Sequence, residues 1–506
     1  MKILKVLELA KKIEKLRKKG KKIIYCHGCF DLMHPGHIKH FQEAKKMGDV
    51  LIVTITPDTY VDKGKDRPVF NQNLRAESVA SLECVDYVAI NKWETACEPL
   101  RLLKPDVYVK GKEFEEKEDS KLQQEKKVLF EIGGKMRYTH DKVVFSSTKL
   151  LNKYFQNIYP LETRRFLEDF SSKYSFEYIR ERLDAIRPMK ILLIGDGIID
   201  EYHYCESMGK SPKAQIIVHK HINYEVFVGG SFAIANHIAQ ICDNVHLVTL
   251  LGKEDKRKNF ILKNLNPNIK TKFFYRDDGP TIVKKRYINK YQNQKVFEIN
   301  YINDSFIKDE CESEVLRFLK RILPEYDIVL IADFGHGFIT DKMIKTIEKI
   351  SKKIAVNTQV NGANVGYNLI TKYANPNFIC LDVPEARLAT QDKFSSVEEI
   401  AGKILKSLKN DCVIITVGSH GSVGIDRHGN INKTPAFSAK VVDITGAGDA
   451  FFSYTAPCFA LGMPLDLVSF IGNTVGALAV QIVCNKVPIR KHELLEFIYT
   501  ILKNNE

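Results

Sequence analysis

Two histidines separated by a Pro-Gly pair, His34 and His37, lie at the end of the segment GCFDLMHPGH, residues 28–37. Both rings can donate hydrogen bonds to the phosphates of a nucleoside triphosphate, and Gly36 lets the backbone approach closely. A strand pattern precedes the segment and a helical pattern follows it, so backbone N–H groups and a helix N-terminus lie at the carboxyl end of a strand. Such donors stabilise the charge that develops when an α-phosphate is attacked. We therefore predict nucleotidyl transfer at this turn, with His34 and His37 as catalytic residues.

A second glycine turn, DITGAGD at residues 443–449, also joins an apolar segment to a helical one. The backbone N–H groups of Gly446, Ala447 and Gly448 can form an anion hole for a transferring γ-phosphoryl group. Asp449 stands where the helix begins, and the helix dipole favours its ionised form. An ionised carboxylate can take the proton from a sugar hydroxyl, which predicts Asp449 as a general base. A purely structural helix cap is the alternative role for this residue.

Other polar and small residues accompany the second turn. A strand pattern ends at Gly195-Asp196, and Asp200 follows four residues later, so both carboxylates are placed to hold sugar hydroxyls. More candidate binding residues lie in two further glycine-containing turns and in the helix after the first of them. They are Gly229, Gly230, Asn236, Thr416, Gly418 and Gly421. Of these, the loop at residues 416–421 is small enough to admit adenine.

The elements that must position these residues alternate between apolar strands and amphipathic helices, which predicts an α/β fold. The first series contains strands at Lys22–Cys26, Val50–Thr56, Asp86–Ile90 and Asp106–Val109, with a helix at Ile38–Met47. The second series contains strands at Lys190–Ile194, Val245–Leu250, Asp327–Ala332, Ile354–Asn357 and Cys412–Val417. We therefore predict two α/β domains, residues 1–155 and 188–506, joined by a helical linker at 156–187.

The charge of the chain is concentrated at one end. The 506 residues carry a net charge of +14, and residues 1–22 hold ten Lys/Arg and two Glu, a net +8. Leu9, Ile13 and Leu16 recur at helical spacing there and Gly20 can end the helix, which favours a docked amphipathic helix over an arm that binds RNA or a membrane. No apolar run reaches the length of a membrane span. We therefore expect a cytoplasmic protein with small-molecule partners and no nucleic-acid or membrane partner.

Residues 1–155 resemble the cytidylyltransferase-like superfamily, and within it the adenylyltransferase half of the bacterial bifunctional heptose kinase/adenylyltransferases that make ADP-heptose. The resemblance rests on GCFDLMHPGH and on residues 63–64, 67–69, 75, 85–88, 110–111 and 146–148. It implies that Lys110 is catalytic and neutralises the triphosphate. It also implies that the nucleotide-binding residues are Gly28, Cys29, Phe30, Gly36, Ser147 and Thr148, the last two capping an amphipathic segment.

Residues 188–500 resemble the ribokinase (PfkB) family, most closely the kinase half of the same bifunctional enzymes, although the two halves occur here in the reverse order. The resemblance rests on residues 195–196, 200, 211–212, 229–230, 333 and 443–449. It implies a ribokinase-like α/β domain in which strands within Cys205–Phe227 and Phe273–Tyr301 form a lid over the sugar and a possible homodimer contact. The sugar-binding residues it implies are Asp196, Asp200, Gly229, Gly230, Asn236 and Arg286, and ATP would lie against Thr416, Gly418 and Gly421.

Three positions depart from the family pattern. Residues 382–385 read Asp-Val-Pro-Glu where the family has Asn-x-x-Glu for ATP-phosphate and magnesium contacts, so Asp382 is predicted to bind nucleotide and Glu385 nucleotide and metal. Gln359 stands where heptose kinases have Lys, and Glu298 stands at a lid position that is basic in them. Loss of these cations predicts a substrate less anionic than heptose 7-phosphate. The lid residues that could compensate are Lys213, Lys284 and Arg286.

Together these motifs predict a transferase with two activities that use Mg²⁺-bound nucleotides: phosphorylation of a sugar or sugar phosphate by ATP, and transfer of a nucleotidyl group to a sugar 1-phosphate with release of pyrophosphate. The resemblance implies an ADP-heptose-like product. A cytidylyltransferase that uses CTP to make a CDP-activated polyol or other sugar is an alternative. A nucleotide-sensing regulator or nucleic-acid-binding protein with degenerate sites is another, against which the intact HPGH and GAGD turns argue.

Overall fold

The chain folds into two compact units, Met1–Asn157 and Ile158–Glu506. The computed structural model describes residues 2–61, 68, 70–111, 120–139, 159–254, 257–291, 294–362, 364–438 and 440–503. Ser147 and Thr148, predicted to bind nucleotide, lie outside the described residues.

The first unit is built on a parallel five-stranded sheet in the order β3-β2-β1-β4-β5. Its strands are β1 (Ile23–Gly28), β2 (Val50–Ile55), β3 (Tyr87–Ile90), β4 (Val107–Gly111) and β5 (Lys135–Thr139). Its helices are α1 (Val6–Lys18), α2 (Pro35–Lys45), α3 (Gln72–Ala80), α4 (Cys97–Leu103) and α5 (Ser120–Glu131). Because the strand order reverses at β1, a crevice opens at the carboxyl ends of β1 and β4.

Helix α1 carries the concentrated positive charge of the N-terminus. It buries Val6, Leu9 and Ile13 along one stripe, and lysines occupy its exposed face. The predicted amphipathic helix is therefore confirmed.

The second unit contains a nine-stranded sheet in the order β10-β9-β6-β13-β14-β15-β16-β17-β18, parallel from β10 to β16. Its strands are β6 (Lys190–Gly195), β9 (Asn244–Gly252), β10 (Ile269–Arg276), β13 (Ile328–Asp333), β14 (Ile354–Thr358), β15 (Phe378–Asp382), β16 (Cys412–Thr416), β17 (Ser422–Asp426) and β18 (Ile431–Thr434). Two large apolar clusters pack around it. Since β9 and β13 flank β6 on opposite sides, the carboxyl end of β6 is the topological switch point.

Three helices of the second unit are almost wholly buried, Ser231–Ile238, Ala447–Ala460 and Leu465–Ala479. The helices of this unit are α6 (Leu161–Lys173), α7 (Phe176–Asp184), α8 (Ser231–Ile238), α9 (Lys258–Asn264), α10 (Asp309–Ile322), α11 (Asp341–Ile350), α12 (Val383–Thr390), α13 (Val397–Leu408), α14 (Ala447–Ala460), α15 (Leu465–Ala479) and α16 (Lys491–Lys503). Within the described residues, no helix combines the length and the hydropathy needed to span a membrane.

A separate four-stranded sheet, called the lid from here on, has the order β12-β11-β7-β8. Its strands are β7 (Gly197–Lys210), β8 (Ile217–Gly230), β11 (Ile282–Asn289) and β12 (Gln294–Tyr301). The prediction that the lid extends back to Phe273 was wrong, because Phe273 belongs to β10, which pairs with β9 in the larger sheet. The burial of β10 does not alternate, since its exposed residues Lys270 and Tyr275 lie on opposite faces of the strand.

Helices α6 and α7 correct the expected linker at 156–187. Leu167, Phe170, Ile179 and Leu183 are buried in the core of the second unit. The ring of Phe170 stacks on Phe470 of α15 with a centroid distance of 4.0 Å. The segment is thus an integral part of the second unit, and its charged outer face accounts for its linker-like composition.

Candidate active sites

The turn with the two histidines leads directly from β1 into α2. His34 is the extended N-cap residue of α2, and its Nδ1 accepts a hydrogen bond from the backbone N–H of Gly36 at 3.1 Å. The rings of His34 and His37 stack with a centroid distance of 3.8 Å, and the edge of Phe30 contacts His37 at 5.4 Å. The structure therefore brings both histidines together at the first turn of α2, where the helix dipole favours an anion.

The loop before the histidines is held in a demanding conformation. Phe30 and Leu32 have φ values of 48° and 53°, in the left-handed region, and a Cβ at Gly28 would meet the Phe30 ring at 3.0 Å. The fully buried guanidinium of Arg75 donates hydrogen bonds to the carbonyl of Cys29 and, at 2.6 Å, to Asp58. Arg75 thus secures the loop from α3, so Gly28, Cys29 and Phe30 shape the phosphate turn together.

Lys110 lies at the carboxyl end of β4, beside β1. Its ammonium is 3.4 Å from Glu125 and 3.5 Å from the carbonyl oxygen of His27. The pKa of the Glu125 carboxyl, which burial alone would raise, lies below its usual value because of the charge of Lys110. The Tyr108 hydroxyl donates to the same carboxylate at 2.9 Å. Glu125 thus fixes Lys110 at the crevice, and nothing in the sequence motifs singled out this partner.

In the second unit, Asp449 lies in the first turn of α14, directly after the glycine turn. Gly446 has a φ of 85°, and a Cβ there would come within 2.1 Å of Asn485, so this position requires glycine. A Cβ at Gly448 would meet nothing within 4 Å, which leaves open space in front of the turn for a phosphoryl group. The N–H of Ala447 already donates to the carbonyl of Ile444 at 3.3 Å, a long bond within the predicted anion hole.

The carboxyl of Asp449 is buried, and burial together with the nearby charge of Asp200 raises its pKa to about 7. This corrects the expectation that the helix dipole favours the ionised form of Asp449, because the desolvation of the buried carboxyl outweighs the dipole. A pKa near 7 suits a general base, since the carboxyl can both accept and release a proton at neutral pH.

Gln359 donates a hydrogen bond to Oδ1 of Asp449 through its side-chain amide, and this bond lowers the pKa of the carboxyl. The same amide nitrogen is 3.2 Å from Oδ1 of Asn357, whose Nδ2 donates to the carbonyl of Cys380 at 2.8 Å. Gln359 directly follows β14 and lies against Asp449, although the sequence drew attention to it only because heptose kinases have lysine there.

The two carboxylates predicted to hold sugar hydroxyls, Asp196 and Asp200, lie near the switch point at the carboxyl end of β6. Asp196 follows β6 and accepts hydrogen bonds from the backbone N–H groups of Phe334 at 3.1 Å and His336 at 3.4 Å. Burial, and next the charge of Asp333, raises the pKa of Asp196 to about 7. Asp200, on lid strand β7, accepts a hydrogen bond from Arg286. Asp196 and Asp200 therefore reach the site from the larger sheet and from the lid.

Gly229 and Gly230 end lid strand β8 against these acids. A Cβ at Gly229 would come within 2.0 Å of Oδ2 of Asp200. Gly230 has a φ of 56°, and a Cβ there would meet the carbonyl oxygen of Asp196 at 2.6 Å. Both positions therefore require glycine, because a side chain at either one would collide with Asp200 or with the backbone of Asp196.

The family model for pfkB carbohydrate kinases matches residues 189–483, and the model for cytidylyltransferase-like proteins matches residues 25–153. The chain belongs to the pfkB family of carbohydrate kinases. With its cytidylyltransferase-like first domain, it is a transferase.

Relatives and solved structures resemble different parts of the chain. A Bifunctional protein HldE of Aliarcobacter butzleri is 48% identical over 113 residues, 22% of this chain and 24% of that protein. The one of Desulfatibacillum aliphaticivorans is 36% identical over 146 residues, 28% of this chain and 29% of that protein. The alignments thus span only 24% and 29% of these relatives, and such matches lie in the N-terminal part of this chain. Phosphofructokinase-2 of Escherichia coli, in its tetrameric inhibited form and with substrates and products, shares the fold with TM-scores of 0.50 and 0.51 at 14% and 13% identity, over 62% of this chain and 99% of each structure.

Arg286 of the kinase domain is neutralised on both sides. Its Nε is 2.7 Å from Glu298, its cross-strand partner on β12, and its Nη1 contacts Asp200. Glu298 is exposed on β12, and its carboxylate pairs with Arg286 on the side away from Asp200, so it helps hold Arg286 in place. Of the other two basic residues predicted in the lid, Lys213 is exposed in the turn between β7 and β8, and Lys284 is buried beside the acids.

Asp382 and Glu385 form a capping box at the start of α12 in the kinase domain. The Asp382 carboxylate accepts from the N–H of Glu385, and the Glu385 carboxylate accepts from the N–H of Asp382, each at 2.8 Å. Burial, and next the charge of Asp382, raises the pKa of Glu385 to about 8. A cation beside Glu385 would remove this penalty, so the residue fits a magnesium ion that arrives with ATP. Among the described residues, no group of three or more His, Cys, Asp or Glu could hold a metal ion.

The remaining predicted binding residues of the kinase domain fall in two places. Thr416 ends β16, and Gly418 and Gly421 in the next loop have φ values of 55° and 94°, so this loop lies at the same sheet edge as the acids. Asn236 does not: its Nδ2 donates to the carbonyl of Asn264 and its Oδ1 accepts from the N–H of Asn266, before β10 begins. This corrects its assignment as a sugar ligand, because α8 carries it toward the opposite edge.

Proposed function

We propose that this chain is a bifunctional sugar-activating enzyme. Its kinase domain transfers the γ-phosphoryl group of ATP to a hydroxyl of a sugar or sugar phosphate. Its first domain transfers a nucleotidyl group to a sugar 1-phosphate and releases pyrophosphate. The observation that carries the proposal is the buried carboxyl of Asp449, which lies at the phosphate turn of α14 within electrostatic reach of Asp200 and beside Gln359.

In the kinase domain, Asp449 accepts the proton of the attacking hydroxyl while the backbone of the glycine turn receives the transferring phosphoryl group. Asp196 and Asp200 hold other hydroxyls of the sugar, so that the reacting oxygen is presented to Asp449. Glu385 would hold Mg²⁺, which neutralises charge on the ATP phosphates when bound.

In the first domain, His34 and His37 donate to the phosphates at the start of α2, and Lys110 supplies positive charge from β4. The acceptor is a sugar 1-phosphate, whose oxygen attacks the α-phosphate. We propose ATP as the nucleotide and an ADP-heptose-like nucleotide sugar as the product, on the strength of the similarity of this domain to Bifunctional protein HldE.

The lid supports a homodimer. Tyr224, Phe297 and Ile299 on lid strands are 58%, 46% and 41% exposed, an unusual concentration of apolar groups on one small sheet. Light scattering of the full chain should give twice the mass of one chain, and Phe297→Ser should reduce it to one.

The experiment that tests both activities is a substrate screen with separate readouts. The full chain is incubated with free pentoses, hexoses and heptoses and their terminal phosphates in the presence of ATP, and ADP is measured. Sugar 1-phosphates are then offered with ATP or CTP, and pyrophosphate is measured. We expect ADP in the first series, and pyrophosphate with ATP and a heptose 1-phosphate in the second. Release of pyrophosphate with CTP but not with ATP would change the proposed product to a CDP-sugar or CDP-polyol. Release of neither ADP nor pyrophosphate would favour a binding protein over an enzyme.

A further inference from the structure

Lys284 on lid strand β11 is buried, and in the described part of the chain its ammonium makes no hydrogen bond or ion pair; the centroid of the Phe334 ring lies 5.9 Å from it. It is only 9% exposed and pairs in register with Asp200 of β7, yet Asp200 is bonded to Arg286. The adjacent Lys285, on the other face of the strand, is 3.3 Å from Glu201. A buried charge without a hydrogen-bonding partner is unfavourable, so its presence at this position points to a ligand.

The surroundings of Lys284 are those of the sugar site. Burial raises the pKa of Asp449 to about 7 and lowers that of His336 to about 3, and the charge of Lys284 lowers both. Asp196 and Asp200 are also close enough to affect the pKa of Lys284, which burial lowers. The ammonium therefore lies among the proposed base and both sugar-binding acids.

Like Lys284, His336 has buried polar atoms without a hydrogen-bond partner among the described residues, and it comes from a different element. It follows β13, and both of its ring nitrogens are buried without a hydrogen-bond partner among the described residues. Its backbone N–H faces Asp196 at 3.4 Å. The loop around it is fixed, because Gly337 has a φ of 81° and a Cβ there would come within 2.0 Å of the carbonyl oxygen of Ser305. The backbone of His336 is thus fixed beside Asp196, and its ring, close enough to Lys284 to feel the charge of the ammonium, makes no hydrogen bond to the described residues.

We propose that Lys284 and His336 bind hydroxyl groups of the sugar and determine which sugars the kinase accepts. This inference rests on the proposed kinase function and deepens it. A hydroxyl can donate to a carboxylate and accept from an ammonium or imidazole N–H at the same time. Neighbouring hydroxyls held by Asp196 and Asp200 would therefore satisfy Lys284 and His336 together. The ligand is the uncharged polyol end of the sugar, because Asp196, Asp200 and Asp449 are close enough to interact with the ammonium and their carboxyl groups can accept hydrogen bonds from the same hydroxyls.

The matched pair Lys284→Met and Lys285→Met tests the assignment, since the two lysines are neighbours on opposite faces of β11. With the best-used sugar of the screen, Lys284→Met should lower kcat/KM for the sugar by about 10- to 100-fold, the effect expected for a lost charged hydrogen bond. The KM for ATP should change less than about twofold. Lys285→Met should leave both constants near those of the unaltered chain. His336→Phe should affect the sugar constants in the same direction as Lys284→Met.

Two further readouts separate ligand binding from a structural role. Removing an unpartnered buried charge should leave the melting temperature of the kinase domain unchanged or higher, whereas a structural lysine would lower it. The second readout compares analogues of the same sugar that each lack one hydroxyl, assayed with the unaltered chain and with Lys284→Met. The analogue that lacks the contacted hydroxyl should lose activity with the unaltered chain but little more with Lys284→Met.

The outcomes distinguish this inference from the function on which it rests. An unaltered chain that phosphorylates a sugar while Lys284→Met and His336→Phe keep the same sugar KM and kcat would overturn the inference and leave the kinase assignment standing. A lowered melting temperature with equal losses for every deoxy analogue would also overturn it, in favour of a structural role. An unaltered chain that consumes no ATP with any sugar would overturn the proposed kinase function and this inference together.

Discussion

Replacing Gln359 by leucine should raise the pKa of the kinase base and shift the pH profile of the reaction. Asp449 acts as a base when ionised, so turnover rises with pH through its pKa of about 7. The Gln359 amide donates to the ionised carboxylate, and a hydrogen bond to a charged group contributes about 1.5–3 kcal/mol. Because one pKa unit corresponds to about 1.36 kcal/mol, the pKa of Asp449 should rise to roughly 8–9 in the variant.

At neutral pH the ionised fraction of Asp449 would then fall from about one half to about 1–10%, which predicts a roughly 5- to 50-fold lower kcat. The loss should disappear as the pH approaches about 9.5, where the carboxyl is ionised in both proteins. The assay is ADP release at saturating ATP and sugar across this range. Gln240→Leu is the control, since the Gln240 amide donates to the carbonyl of Asn236 instead. An unchanged pH profile, or a loss that is equal at every pH, would refute this account of the base.

Three further predictions concern single side chains. Asp449→Asn should lower kinase turnover by about 10²–10⁴-fold while ATP still binds, as measured by ADP release and nucleotide titration, and a near-normal rate would reduce Asp449 to a helix cap. Burial holds the pKa of Glu385 at about 8, so the stability linked to its protonated form is present below about pH 4 and is lost as the pH rises through 8. Glu385→Gln should therefore raise the melting temperature more at about pH 9 than at about pH 6 while it removes kinase turnover, and an equal effect at both values would contradict this reasoning. Arg75→Met should destabilise the first domain by about 3 kcal/mol in denaturant unfolding and abolish pyrophosphate release, because Cys29 and Asp58 lose a buried donor, and a stable variant with normal release would show that the loop holds without it.

The parts of both sites that lie close together in sequence could be predicted from it. A strand, a turn and a helix follow one another around His34, and the glycine turn at Asp449 leads directly into a helix, because the turn chemistry of glycine and the apolar periodicity are local properties. The strand expected just before the second turn was wrong, since the described residues between Thr434 and Ala447 form no strand and Val441 is exposed. The same holds for α1, whose apolar spacing shows which face is buried. Strand ends were predicted less well, and β1 continues to Gly28 because its last residues still pair with β2.

The contacts that tune the sites could not be predicted, because they join residues that only the sheet order brings together. Gln359 reaches Asp449 from β14 across 90 residues, and Lys110 meets Glu125 through the packing of α5. The raised pKa of Asp449 follows from burial, which no local motif specifies. His336 belonged to no recognised motif. It stands out only in the folded chain, where both of its ring nitrogens are buried and make no hydrogen bond to the described residues.

The most direct test of two independent transfer sites is a simultaneous measurement of ADP and pyrophosphate from the unaltered chain, His34→Ala and Asp449→Asn, each with a sugar and a sugar 1-phosphate as acceptors. The two histidine rings and the buried carboxyl lie in separately folded units, each with its own phosphate turn. We predict that His34→Ala loses pyrophosphate release and keeps ADP release, and that Asp449→Asn does the reverse. Loss of both products to the same extent in either folded variant would contradict the two-site account.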